Sequence, residues 1–356
     1  MAFYFFIFFI TGVFSLLEII GLKSNQRKLS YIIFCFILFI LSFIRWETGS
    51  DWDNYYDFFV HATSWGDFRE FEPLYATLNT LANELTGSYT FLLLILSSIL
   101  FSLQSISINK YSPYPLTSLF CLVGISCGNV FFVRQTIAVA IIFYSVKYIQ
   151  GKRFIPFITL ITIATLLHRS SFIFIFAWFV YYRKFSIKFM LITIIASLFL
   201  STFIAMILQS LGSSIGGVIS SKISQYMSEG DTVSTGQSYL VLVLKGVANK
   251  FFIFAAIIFL KYKIEDKNFN GYSNLFYLGT LIYFATMGIS IVLVRFSFPY
   301  DIFQIIIIPY IFKYIKKISN KIIIWSIISL YLAARLYMFI TAYYDLYVPY
   351  KTILTE

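Results

Sequence analysis

Long apolar stretches follow one another along almost the whole chain, separated by short polar gaps. Their apolar residues are continuous and do not alternate with polar ones, which excludes the strands of a membrane β-barrel and favours helices. With 59% hydrophobic and only 12% charged residues among 356, the chain cannot be a water-soluble globule. The pattern therefore predicts an all-α, polytopic membrane protein.

The apolar stretches number about twelve when each is required to be long enough to enter a membrane. They lie near residues 2–21, 29–45, 89–108, 114–130, 132–149, 154–167, 171–182, 188–208, 239–260, 272–294, 297–312 and 322–341. We expect them to form a single membrane domain over residues 1–356. Residues 46–88 carry acidic and aromatic side chains, which suits interfacial helices over a cavity mouth, and residues 209–238, rich in Gly and Ser, predict a flexible loop.

The cations of this chain separate into two groups. Lysines concentrate in alternate gaps between the apolar stretches, for example at Lys313, Lys316, Lys317 and Lys321. By the positive-inside rule these gaps face the cytoplasm, which places both termini and the other set of gaps outside. The net charge of +11 therefore reflects membrane orientation, and we expect no nucleic-acid partner.

The second group of cations lies on the outward side. It consists of Arg45, Arg134, His168, Arg169 and Arg295. The positive-inside rule disfavours cations there, and the guanidinium group suits bidentate recognition of phosphate. We therefore predict an anionic ligand such as a phosphorylated lipid. The alternative is that each arginine reaches the membrane interface or pairs with a carboxylate of residues 46–88.

Residues 154–182 have basic residues at both ends and two apolar arms that are too short to cross a membrane. The pattern predicts a broken or re-entrant pair with His168 and Arg169 at its tip, in a cavity open to water from outside. His168 could then act as a general base, orient the substrate, or be an ordinary core histidine.

The segment from Arg45 to Tyr56 mixes aromatic and acidic residues around Gly49. Glycine permits a sharp turn here, and aromatic rings with carboxylates are typical of sugar sites. An aromatic belt at the membrane surface with solvated acids explains the same residues. Asp51 and Asp53 lack further metal ligands, so we expect no metal ion, and we expect no cofactor.

Short motifs follow one another in a fixed order over about residues 40–310. They read Arg45…Gly49-Ser-Asp51…Tyr55, then Phe71-Glu-Pro-Leu74, Phe132-Val-Arg134-Gln135…Ala138, Ala164-Thr-Leu-Leu-His168-Arg-Ser-Ser171 and Arg295-Phe-Ser…Tyr300. In this order of motifs the chain resembles the EpsG-like and Wzy-type polymerases of O-antigen or capsular polysaccharide.

The resemblance implies a membrane glycosyltransferase of the bacterial cytoplasmic membrane with its active site on the outer face. Such enzymes transfer a growing glycan en bloc from undecaprenyl diphosphate, which is the leaving group, to a second lipid-linked repeat unit. Donor and acceptor glycans and membrane lipids would be the partners, together with a flippase and a chain-length regulator. No nucleotide sugar is required.

On this interpretation the candidate residues acquire roles. The predicted diphosphate-binding residues, which would also stabilise the departing charge, are Arg134, Arg169, Arg295 and Arg45. Either His168 or Asp51 would deprotonate the acceptor hydroxyl group. The predicted sugar-binding residues are Trp52, Asp53, Tyr55, Glu72 and Tyr300.

Three other functions use related features. An O-antigen ligase uses a similar donor, but it would carry a larger and more basic outward domain than residues 209–238. A flippase for lipid-linked oligosaccharides would spread its charges through a cavity that reaches both faces. A membrane acetyltransferase would place its histidine and arginines nearer the cytoplasmic side. The one-sided arrangement of charge therefore favours the polymerase.

Overall fold

The computed structural model describes residues 1–62, 71–132, 134–214, 239–263, 265–287, 289 and 291–354. Its α-helices, in chain order, are α1 (Ala2–Ile20), α2 (Ser24–Ile44), α3 (Trp52–His61), α4 (Pro73–Thr86), α5 (Tyr89–Tyr111), α6 (Pro115–Ser126), α7 (Arg134–Gln150), α8 (Phe154–Leu167), α9 (Ala177–Val180), α10 (Ile187–Ser214), α11 (Tyr239–Lys261), α12 (Lys267–Thr286), α13 (Ile291–Val294), α14 (Phe298–Asp301), α15 (Gln304–Tyr314), α16 (Ile318–Thr341) and α17 (Tyr344–Tyr347). Short 3-10 helices cover Cys127–Asn129, Arg169–Phe176 and Arg295–Ser297.

Four of the described helices are long and apolar enough to cross a membrane, and these are α1, α2, α5 and α16. Shorter apolar helices cover Pro115–Asn129, Phe154–Leu167, Arg169–Val180 and Ile187–Ser201. These helices confirm the predicted helical membrane protein. They do not by themselves give twelve crossings.

The chain divides into two compact units. The first comprises Met1–Phe172 and Ile308–Glu356, and the second comprises Ile173–Ile307. In the first unit α6 packs against α1 and α16, while α5 packs against α2 and α7, and α7 against α8. Gly124 lets α6 approach α16 closely, since a Cβ atom there would lie 2.7 Å from the Cβ of Leu332.

The two ends of α1 lie in different surroundings. At its first turn the Tyr4 hydroxyl donates to the Tyr347 carbonyl, and the Phe3 ring stacks on Tyr350 with centroids 4.9 Å apart. At its last turn Lys321 Nζ donates to the Ile19 carbonyl at 3.1 Å. The first unit therefore keeps the aromatic C-terminal segment and the lysine-rich gap at opposite ends of the same helix.

Glu18 fixes the start of α6 at the lysine-rich end. Its carboxylate accepts from the backbone N–H groups of Leu116 at 3.2 Å and Thr117 at 2.9 Å, and from the Thr117 hydroxyl at 3.0 Å. The first N–H groups of a helix have no intrahelical partner, so a carboxylate is a favourable cap there.

The other end of α6 breaks because Cys127, Gly128 and Asn129 have left-handed backbone conformations, with φ of 52°, 69° and 61°. The Asn129 side-chain amide donates to Gln104 Oε1 at 2.7 Å, which stabilises the break. The break leads the chain to Phe132 and to α7, whose first residue is Arg134.

The second unit is organised around α12. This helix packs against α9 and α10, and against the 3-10 helix Arg295–Ser297 and α14. The Asn274 amide donates to the carbonyls of Val180, Tyr181 and Arg183 at 3.1, 3.3 and 2.6 Å, which ties the end of α9 to α12.

Two predicted outward segments are described in part. Residues 46–88 contain α3 and α4, and residues 63–70 lie outside the described residues. The flexible loop predicted over 209–238 overlaps α10 as far as Ser214, and the rest of it lies outside the described residues. The predicted break near 154–182 is present locally, because α8 ends at Leu167 and His168 is extended, with φ of −157°.

Candidate functional site

The C-terminal segment, residues 344–354, packs along residues 44–49 of the first unit. The backbone N–H of Trp46 donates to the Lys351 carbonyl at 3.0 Å, and that of Gly49 donates to the Leu346 carbonyl at 2.9 Å. An isolated β-bridge pairs Arg45 with Thr352. The segment therefore fixes the backbone that follows α2.

Arg45 is buried, with 4% of its surface exposed. Its Nη1 donates to the Thr48 carbonyl at 3.1 Å and its Nη2 to the Phe132 carbonyl at 3.0 Å. These contacts favour a structural role, in which Arg45 joins the end of α2 to the start of α7, over the predicted contact with a diphosphate.

The carboxylate of Glu72 joins two further predicted anion-binding arginines, Arg134 and Arg169. One oxygen forms an ion pair with Arg134 Nη1, and the other accepts the backbone N–H of Arg169 at 3.1 Å. Glu72 directly precedes α4, whose first residue is Pro73, and α4 packs against α8. Glu72 therefore holds the start of α7 beside the end of α8.

The Arg134 guanidinium lies in an aromatic environment. Its Cζ is 4.1 Å from the centre of the Phe71 ring and 5.6 Å from the rings of Tyr55 and Tyr75. Nε is 3.5 Å from the Tyr55 hydroxyl, and Nη1 is paired with Glu72. No described residue accepts a hydrogen bond from Nη2. Arg134 is thus held in place while part of its donor capacity is left over.

The Arg169 side chain is exposed, and no described residue accepts a hydrogen bond from it. Its backbone is held by Glu72, whose other oxygen binds Arg134. The first unit therefore brings together two of the predicted anion-binding residues through one carboxylate. This is the pairing with residues 46–88 that was the alternative interpretation of Arg134, and it leaves donors available for a ligand.

His168 directly precedes Arg169 in the chain and forms part of a hydrogen-bonded row. Its Nδ1 is 2.8 Å from Ser170 Oγ, and the Gln135 side-chain amide donates to the same Oγ at 3.1 Å. Gln135 and Ser170 are buried, whereas His168 is partly exposed. Each member of the row is adjacent in sequence to Arg134 or Arg169.

The predicted sugar-binding residues and the candidate base occupy different environments. Trp52 is buried against Trp46 and Tyr89, with ring centroids 5.4 and 5.0 Å apart. Asp53 is exposed in the first turn of α3, and Asp51, directly before that helix, is partly exposed. Trp52 therefore contributes packing, while both carboxylates are accessible to a ligand.

The second unit holds the remaining predicted residues. Arg295 begins a 3-10 helix and is exposed. Tyr300 is fully buried and donates to the Ile173 carbonyl at 2.7 Å, which favours a packing role over contact with a sugar. Lys250, in the middle of α11, forms an ion pair with Asp301. From the sequence alone we did not single out Asp301.

Among known protein families, the EpsG family matches residues 28–352, which is nearly the whole chain. The chain belongs to the EpsG family. Comparison with curated proteins and with solved structures gives no match. Membership of the EpsG family confirms the resemblance read from the motifs, and it makes this chain a membrane protein of the polysaccharide polymerase type.

Three contributors to the candidate site were not given a role from the sequence. They are Gln135 and Ser170, which bind His168, and the C-terminal segment, which holds residues 44–49. A signal for the first two was present, because each directly follows one of the predicted anion-binding arginines. The C-terminal contact had no such signal, since its two partners are separated by about 300 residues, as for Lys351 and Thr48 with a separation of 303.

Proposed function

We propose that the protein polymerises undecaprenyl-diphosphate-linked oligosaccharide repeat units on the outer face of the bacterial cytoplasmic membrane. The growing glycan is transferred en bloc to a new lipid-linked repeat unit, and the diphosphate is the leaving group. Family membership supports the polymerase class. The arrangement of Arg134, Glu72 and Arg169 supports the anionic donor.

The observation that carries the proposal is the placement of two arginines by one carboxylate. Glu72 neutralises part of the charge of Arg134, but Arg134 Nη2 and the whole Arg169 side chain remain available in the described structure. Glu72 brings the Arg169 backbone next to the Arg134 guanidinium, and two arginines in neighbouring positions suit an anion that carries more than one negative charge. A diphosphate has this property.

In the proposed reaction, a hydroxyl oxygen of the acceptor sugar forms a bond to the anomeric carbon of the donor glycan. The bond from that carbon to the diphosphate oxygen breaks, and its electron pair leaves with the undecaprenyl diphosphate. Arg134 and Arg169 stabilise the charge that develops on the departing oxygen. The hydroxyl proton passes to Asp51 or His168. Arg295 keeps its predicted role in binding the diphosphate.

The membrane arrangement is part of the proposal. About twelve membrane segments with both termini outside place the arginines outward and the lysine-rich gaps in the cytoplasm. The glycan product is O-antigen, capsule or another exported polysaccharide. A flippase that delivers the repeat unit and a chain-length regulator are the proposed protein partners.

The test is reconstitution of the purified protein in liposomes with a defined undecaprenyl-diphosphate repeat unit. We expect a ladder of longer lipid-linked glycans. Arg169→Ala should reduce the ladder strongly, because removing one donor to a developing charge costs on the order of a hundredfold. Arg153→Ala is the matched control, since Arg153 is an exposed arginine of the first unit in the α7–α8 turn.

Other outcomes would contradict the proposal. Movement of the lipid-linked repeat across the bilayer without a ladder would indicate a flippase. Transfer of the glycan only to a lipid A-core acceptor would indicate a ligase. A ladder that is equally strong in Arg169→Ala and in Arg153→Ala would remove the proposed diphosphate site.

A further inference from the structure

We propose that a pocket of the first unit, distinct from the arginine site, binds a neutral sugar ring of a glycan. The pocket has a volume of about 390 Å³ and lies between α3, the end of α4, the start of α5 and the C-terminal segment. Its lining includes Trp46, Tyr56, Asn83, Tyr89 and Thr90. That this glycan is the substrate of a polymerase rests on the proposed function.

Aromatic rings form one side of the pocket. The Tyr56 ring is exposed, and its centroid lies 5.7 Å from that of Trp46 and 5.3 Å from that of Tyr89. Trp46 and Tyr89 also contact the buried Trp52, so packing holds these rings in place. A fixed aromatic surface in a pocket suits the apolar C–H face of a sugar ring.

Hydroxyl groups of the same pocket have hydrogen-bonding capacity left over. Those of Tyr56, Tyr89 and Thr90 have no hydrogen-bond partner among the residues that the structure describes. Tyr89 is 4% exposed, and an unpaired hydroxyl in a buried residue is unfavourable unless a ligand or water binds it. A hydroxyl can both donate and accept, so these groups can bind the hydroxyl groups of a sugar.

Asn83 adds an amide whose orientation is fixed. One of its N–H groups donates to the Phe59 carbonyl at 2.9 Å, which joins α4 to the last turn of α3. An amide has a second N–H and a carbonyl oxygen. This donor and this acceptor lie side by side, as neighbouring hydroxyl groups of a sugar require.

The chemistry of the lining selects the class of ligand. The described residues that line the pocket are all uncharged, so a phosphate finds no cation among them. An acyl chain would cover the hydroxyl groups and the amide without pairing them, which is unfavourable. A sugar is neutral, has an apolar face and carries several hydroxyl groups, so it satisfies both the rings and the polar groups.

The position of α3 separates this pocket from the arginine site. Successive side chains of a helix project about 100° apart. Tyr55 places its hydroxyl 3.5 Å from Arg134 Nε, whereas the next residue, Tyr56, lines the pocket. The sugar bound here is therefore one that does not carry the diphosphate.

The test uses a glycan without phosphate. The oligosaccharide of the repeat unit is isolated from cells that make the protein and is released from its diphosphate lipid by mild acid. It is titrated against the full chain in nanodiscs of phosphatidylethanolamine and phosphatidylglycerol. Saturation-transfer difference NMR measures the binding through the sugar protons. We expect saturable binding, because recognition in this pocket needs neither the phosphates nor the lipid.

Four variants locate the bound sugar. Tyr56→Ala should weaken binding on the order of tenfold or more, because the aromatic surface is lost. Tyr56→Phe keeps the ring, loses one hydroxyl and should weaken binding about threefold. Thr90→Phe fills the pocket and should abolish binding. Tyr343→Ala is the matched control, since Tyr343 is an exposed tyrosine of the first unit outside the pocket, and it should bind as the unchanged protein does.

The outcomes separate this proposal from the polymerase. No binding by the unchanged protein, or equal binding by the folded Tyr56→Phe and Thr90→Phe proteins, would overturn the sugar pocket, even if a glycan ladder forms. A phospholipid that co-purifies with the unchanged protein and is lost in Thr90→Phe, without a change in oligosaccharide binding, would also overturn it. Binding that depends on Tyr56 in a protein that makes no ladder would support the pocket and remove the polymerase.

Discussion

Replacing Glu72 with glutamine should impair the site through both arginines at once. The Arg134 side chain is 16% exposed and that of Glu72 is 9% exposed, so little water can replace the lost carboxylate charge. Breaking a buried ion pair by removing one partner costs about 3–5 kcal/mol. Because this pair is not fully buried, we take the lower end, about 3 kcal/mol. If that loss appears in the transition state, the rate falls on the order of a hundredfold.

The assay is the rate of ladder formation in liposomes, combined with a double-mutant cycle. Glu72→Gln, Arg134→Gln and the double variant are compared with the unchanged protein. Each single change removes the same ion pair, so the double variant should be much less impaired than the sum of the two single losses. Glu47→Gln is the control, because it breaks the exposed pair between Glu47 and Lys351 at 2.8 Å and should leave the rate nearly unchanged.

Two results would refute this reasoning. One is a Glu72→Gln protein with the rate of the unchanged protein. The other is a double variant whose loss equals the sum of the single losses, since this would show that Glu72 and Arg134 act independently. Thermal unfolding of each variant separates a lost site from a lost fold.

Three further changes test the supports of the site. Gly49→Ala should lower the free energy of unfolding by about 1–3 kcal/mol and so lower the unfolding temperature. The reason is that Gly49 has a φ of 128° and that a Cβ would lie 3.0 Å from Arg45 Nη1. An unchanged melting curve would contradict this. Glu18→Ala removes the cap of α6 and should lower the free energy of unfolding by about 1–3 kcal/mol, and with it the unfolding temperature. Equal stability of the variant would show that the cap is dispensable. Removal of residues 344–356 should reduce both stability and ladder formation, because backbone bonds to residues 44–49 are lost; full activity of the shortened protein would refute that role.

The helical class could be predicted because it depends on local sequence. Apolar stretches without alternation leave the helix as the element that satisfies the backbone, and α1, α2, α5 and α16 have the expected length. The break at His168 was also predictable, since two short apolar arms flank adjacent polar residues. The number of membrane crossings is harder to predict, because the length of short helices such as α6 and α8 does not show whether they cross the membrane.

The partners of each site residue could not be predicted in the same way. Glu72 and Arg134 are 62 residues apart, and nothing in their local sequence distinguishes a carboxylate that binds sugar from one that positions an arginine. The partners of Arg45 were equally unpredictable. An arginine next to a membrane span can bind a ligand, or it can donate to backbone carbonyls of the protein, as Arg45 does. Only the packing of α2, α4, α7 and α8 decides between these possibilities.

The central claim is that Arg169 binds a diphosphate. It is tested most directly by measuring the affinity of the purified protein for undecaprenyl diphosphate. Arg169 is suited to this test because its side chain is exposed and its removal leaves no buried charge unpaired. We predict that Arg169→Ala weakens binding on the order of tenfold or more, and that Arg153→Ala does not change it. Equal affinity in the unchanged protein and both variants would contradict the account.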